Sequence, residues 1–104
     1  MKIQINTDKT IIGDETLQAT MISQIEGEFS RYESEISRIE VHLSDENGKK
    51  EGINDRRCLL EARIEGKQPV AVSCQASTTS QALTGAIVKL KAALDTIIGR
   101  MRNH

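Results

Sequence analysis

The 104-residue chain is poor in the features that would make several function classes easy to assign. Aromatics are limited to Phe29 and Tyr32, with no tryptophan. This argues against a surface that reads unstacked bases by stacking, because that mode uses exposed aromatic faces. Proline occurs once, at Pro69, and no Pro-rich, Gly/Ser-rich or repeated stretch divides the chain, so one domain over 1–104 is expected. Cysteine occurs twice, as Cys58 and Cys74, too few for a disulfide scaffold and not in C-x-x-C spacing. No apolar run approaches the roughly 18 residues of a membrane span, and MKIQINTDKT has no signal-peptide hydrophobic region. A cytoplasmic location without membrane partners is therefore expected.

Charge of one sign is also lacking overall, since the formal net charge is −1. Its distribution is uneven. Residues 1–55 carry six Lys/Arg against twelve Asp/Glu, and residues 56–104 carry eight against three. Phosphate neutralisation supplies most non-specific affinity for nucleic acid, so only the second half suits a polyanion.

Periodicity sets out the elements in order. Ile3 and Ile5 alternate with polar residues as in a half-buried strand. Asp14 suits a helix N-cap, and Leu17, Met21, Ile25, Phe29 and Tyr32 follow at helical spacing on a segment with an acidic outer face. Ile39, Val41 and Leu43 mark a second strand. Residues 46–55, with Asn47-Gly48, Gly52 and Asn54, suit a mobile hairpin loop. Cys58, Leu60, Ala62 and Ile64 face one way in a third strand, and Val70, Val72, Cys74 and Ala76 in a fourth. Thr78 and Gln81 have capping-box spacing ahead of the stripe Leu83, Ile87, Leu90, Leu94, Ile97 and Met101. The expected fold class is α+β, in the order β-α-β-β-β-α, with a four-stranded sheet and two helices packed on one face.

Catalysis and metal chemistry find little support. Cys58, Cys74, His42 and His104 include zinc-binding types but lack ligand spacing, and strand alternation puts His42 on the face opposite the cysteines. No nucleophile has a plausible base beside it, so an enzyme, a cofactor and a small-molecule substrate are not expected.

The basic residues are the remaining constellation. On a helical wheel Lys89 and Arg100 border one side of the last apolar stripe, and Lys91 and Arg102 border the other. Together with Arg56, Arg57, Arg63 and Lys67 they are the candidate RNA-binding residues. The competing reading is snorkelling over the seam and complementation of the helix dipole. On the outward sheet face Arg38, Arg57 and Arg63 alternate with Glu40, Glu61 and Glu65, a composition closer to cross-strand ion pairing than to a phosphate platform. Gly85, Val88, Ala92 and Gly99 form a small, uncharged outer arc, and the alternative function is a protein-interaction module using that arc or the acidic first helix.

The segment SCQASTTSQALTGAIVKLKAAL resembles the end of the ribosome hibernation-promoting and ribosome-associated inhibitor proteins. The family's A-I-D-x-x-I-D-K-L aligns with Ala82 to Leu90, with Lys89 on the family lysine. The family's two acidic positions are Thr84 and Val88 here, and the basic position three beyond the lysine is Ala92. The resemblance implies a sheet with two helices on one face, similar to a double-stranded-RNA-binding domain. It further implies occupation of the small ribosomal subunit's tRNA and mRNA path in idle ribosomes, with basic side chains holding ribosomal RNA phosphates and no cofactor. A monomer is favoured. Without the long C-terminal extension of some relatives, the chain is not expected to pair ribosomes.

Overall fold

The computed structural model describes residues 1–7, 15–45 and 56–102, except for the Arg102 side chain. Asp14, the 46–55 loop and His104 lie outside the described residues. The strands are β1 (Lys2–Thr7), β2 (Ile36–Asp45), β3 (Arg56–Ile64) and β4 (Val70–Ala76), and the helices are α1 (Glu15–Glu28) and α2 (Thr79–Arg102). A short 3₁₀ turn, Ser30–Tyr32, follows α1. The expected α+β order β-α-β-β-β-α is the order found.

The sheet order is β1-β2-β3-β4, with β1 parallel to β2 and the other pairs antiparallel. Parallel neighbours require a crossover rather than a hairpin, and α1 occupies that connection. Its buried residues join the inward residues of the sheet and those of α2 in one core, so both helices cover the same face. Phe29, Ile25, Ile39, Leu60, Leu83, Leu90 and Leu94 are among its largest fully buried side chains.

Strand alternation is regular in β3, where Cys58, Leu60, Ala62 and Ile64 are all buried. In β2 it is interrupted. Ile36 pairs with Ile64 and Arg38 with Arg63, so Ser37 is an extra residue, and its hydroxyl donates to the Arg63 carbonyl at 3.2 Å. This bulge allows Ile36 and Ile39, three positions apart, both to enter the core. The β3–β4 connection turns through Gly66 at φ 78°, a left-handed conformation that glycine adopts without a Cβ clash.

The helices depart from the sequence pattern in informative places. Leu17 remains 37% exposed and does not belong to the buried stripe. Phe29 and Tyr32 are buried, but they belong to the turn after α1 rather than to the helix. At the start of α2 the Gln81 amide donates to Thr78 Oγ1 at 3.1 Å, the expected N-cap, while the Gln81 side chain accepts from the Ser77 hydroxyl. Further along, Ile98 enters the core and Ile97 and Met101 are only partly buried. The 24 residues of α2 span about 36 Å at the helical rise, whereas the seven residues of β4 span about 23 Å. The last turns of α2 thus outrun the strand they cover.

Gly85 also changes place. A Cβ there would lie 2.3 Å from Cys74 Sγ, so it packs against β4 rather than belonging to the solvent arc. Its cost in helix propensity is offset by this close approach. Val88, in contrast, is 64% exposed.

Candidate nucleic-acid interface

The candidate cations fall into three groups with different neighbours. The first lies on and beside the sheet. Arg38 and Arg63 stand directly opposite each other, as do Glu40 and Glu61. Like charges facing across a pair repel, and contacts along and between the strands resolve this. Glu40 lies 3.6 Å from Arg38 and 3.5 Å from Arg63, and Arg63 lies 3.3 Å from Glu61. Partial burial alone would raise the Glu40 carboxyl, but Arg38, with Glu61 and Arg63, outweighs it and holds the group below the usual carboxylate range. Arg56 pairs with its cross-strand partner Asp45. Arg57 stands opposite Ser44 and Gln75. On this face Arg63 is engaged by carboxylates, and Arg57 and Arg63 lie on the opposite side of the sheet from α2.

The second group lies where α2 meets α1 and the following turn. Lys91 Nζ reaches Glu28 at 3.0 Å. One turn further on, Asp95 takes Arg31 at 2.6 Å and also accepts from the Tyr32 hydroxyl. The Arg31 guanidinium lies 4.7 Å from the Tyr32 ring centroid, at cation–π distance. Burial pushes the Tyr32 phenol above its ordinary value, with the Asp95 hydrogen bond adding to the rise. This flank fastens α2 to the segment after α1. Arg102 ends α2, and its side chain lies outside the described residues.

The third group lies on the β4 side. Lys89 Nζ donates to the Ser73 carbonyl at 2.8 Å, lying over β4. Eleven residues later, Arg100 returns to within about 20° of the same helical direction and about 16 Å along the axis. Arg100, Lys67 from the β3–β4 turn, Ile97 and Met101 line an open groove of about 430 Å³. Among the described residues, no carboxylate lies within ion-pair distance of Lys67, Lys89 or Arg100. The two basic borders of α2, equivalent on a wheel, are therefore unequal in the fold.

The seven candidates whose side chains are described consequently do not form one patch. Lys67, Lys89 and Arg100 share a flank. Arg56, Arg57 and Arg63 belong to the sheet, and Lys91 is held by Glu28. Sequence reasoning missed the Arg31–Tyr32–Asp95 contact, which joins positions 63 and 64 residues apart. The three residue types can form such a contact, but no local pattern links their positions.

Cys58 and Cys74 are free and face each other across β3 and β4. Burial, with a smaller effect of Cys74, pushes the Cys58 thiol up to about 12, which suppresses its thiolate. Among the described residues, no group of three His, Cys, Asp or Glu side chains is arranged to hold a metal ion.

The geometry has solved counterparts. The N-terminal domain of Thermus thermophilus Protein Y superposes with a TM-score of 0.70 at 17% identity, covering 93% of this chain and 99% of that one. A ribosomal subunit interface protein from Coxiella burnetii gives a TM-score of 0.70 at 16% identity, covering 95% and 99%. The fold is shared with both. No protein-family model and no curated protein sequence matches the chain. The resemblance read in the last strand and helix is thus met by the whole three-dimensional arrangement, at an identity too low to carry function with it.

Proposed function

We propose that this protein is a ribosome-associated, RNA-binding translation regulator. It occupies the small-subunit tRNA and mRNA path of idle ribosomes as a cytoplasmic stress factor. The observation that carries this reading is the flank of Lys67, Lys89 and Arg100, which has no carboxylate partner among the described residues, on a fold shared with a ribosomal subunit interface protein. Long cations beside a helix hold backbone phosphates without reading base edges, which suits a chain whose two aromatics are both buried. The mechanism is steric and needs neither a catalytic group nor a cofactor. The protein acts as a monomer on ribosomal RNA.

Sedimentation through a gradient tests this reading. The protein is expected to travel with small ribosomal subunits at low salt and to be released as salt rises, because phosphate contacts liberate counterions. Recovery only in the soluble fraction at low salt refutes it. The second reading, a protein-interaction module, is favoured by the 64% exposure of Val88 on the uncharged arc of α2. Salt-insensitive association that Val88→Glu abolishes would support that reading instead.

A further inference from the structure

The groove at the end of α2 has a composition that phosphate binding alone does not require. Its cations are Lys67 and Arg100, and its apolar lining is Ile97 and Met101. The sequence pattern puts Ile97 and Met101 in the core stripe. They are left partly exposed because α2 continues past β4 and Ile98 takes the core position. The apolar surface is thus adjacent to two cations that have no carboxylate partner among the described residues.

We infer that this groove seats one unpaired nucleotide of the bound RNA, its phosphate between Lys67 and Arg100 and its base against Ile97 and Met101. The inference rests on the RNA-binding reading above and names a subsite within it. Three features favour a nucleotide. The cations complement a phosphate, and the groove continues the flank that begins at Lys89. The thioether of Met101 and the guanidinium plane of Arg100 both make favourable contacts with an aromatic ring, so a base can be held without an aromatic side chain. The volume of about 430 Å³ falls in the range of small-molecule sites. Its few polar groups imply that the base is held by its face with little discrimination among bases.

The test uses the full chain with labelled methyl groups on isoleucine and methionine, titrated at low salt with a nucleoside 5′-monophosphate. Ile97 and Met101 methyl signals are expected to shift saturably, while those of buried Met21 and Ile25 stay in place. Inorganic phosphate should leave the Ile97 and Met101 methyls unmoved. Met101→Glu should weaken the monophosphate by about tenfold, the low end of what losing one stacking surface costs. Arg100→Gln, which leaves the apolar lining intact, should also weaken it.

Co-sedimentation with ribosomes but no shift at Ile97 and Met101 would overturn the groove assignment and leave the functional reading standing. Shifts without co-sedimentation would support a nucleotide site but overturn its ribosomal setting. Saturable shifts with an acidic, leucine-containing peptide and none with the monophosphate would assign the groove to a protein partner and overturn the proposal.

Discussion

The two flanks of α2 carry cations at similar helical spacing but meet different neighbours. Toward α1 and the turn after it, Lys91 meets Glu28, and Asp95 gathers Arg31 and Tyr32. Toward β4, Lys89 meets the Ser73 carbonyl, and Arg100 and Lys67 border an apolar groove. One flank has its cations paired with carboxylates, and the other, among the described residues, does not. The net charge of a segment therefore says less about binding than the elements packed beside each cation.

The strongest way to break this contrast is to remove the β4-side cations together. Lys67→Ala, Lys89→Ala and Arg100→Ala combined should lower the slope of log affinity against log salt by about two to three, at roughly 0.7–0.9 for each phosphate no longer neutralised. Gradient sedimentation at several salt concentrations reads this. An equal effect from Lys91→Ala alone would erase the distinction between the flanks.

The packing beneath the β4 flank can be broken sterically. Gly85→Leu should destabilise the protein by about 1–3 kcal/mol, because the new side chain meets Cys74 Sγ. Denaturant unfolding measures the loss, and Cys74→Ala in the same chain should recover part of it. On the other flank, Tyr32→Phe removes the hydroxyl that donates to Asp95 and should cost about 1 kcal/mol, or about 4–8 °C in melting temperature.

A pH series sharpens the same comparison. The folded-state value of Tyr32 is raised, so its contribution is fully present below the ordinary phenol value near 10. It is lost as pH rises through the higher folded value. Thermal unfolding should show wild type and Tyr32→Phe converging across that alkaline window. The smallest effect belongs to Lys91→Ala. Its pair with Glu28 is substantially exposed, and the stability change should lie within about 0.5 kcal/mol.

Much of the fold was legible because burial periodicity is local. The alternation of Cys58, Leu60, Ala62 and Ile64 and the spacing of Leu83, Ile87, Leu90 and Leu94 need no distant information to identify a strand and a helix. The errors fall where a distant element decides. Ile36 reaches the core only through the bulge at Ser37, which depends on its register with β3. Leu17 stays partly exposed, and Gly85, assigned to the outer arc by the wheel, packs on Cys74. The candidate site was legible as a set of basic residues but not as a surface. A helical wheel cannot show that Glu28 meets Lys91 or that Arg56 meets Asp45.

By itself the sequence determined the element order, most inward faces of the strands and helices, and the concentration of positive charge in the second half. These follow from backbone geometry, which repeats every two residues in a strand and every 3.6 in a helix. Only the tertiary structure decided which cations, among the described residues, remain without a carboxylate and where α2 runs past β4 beside a groove. Coulomb pairing and apolar burial depend on distances of a few ångströms, and residues more than sixty positions apart acquire such distances only when the chain folds.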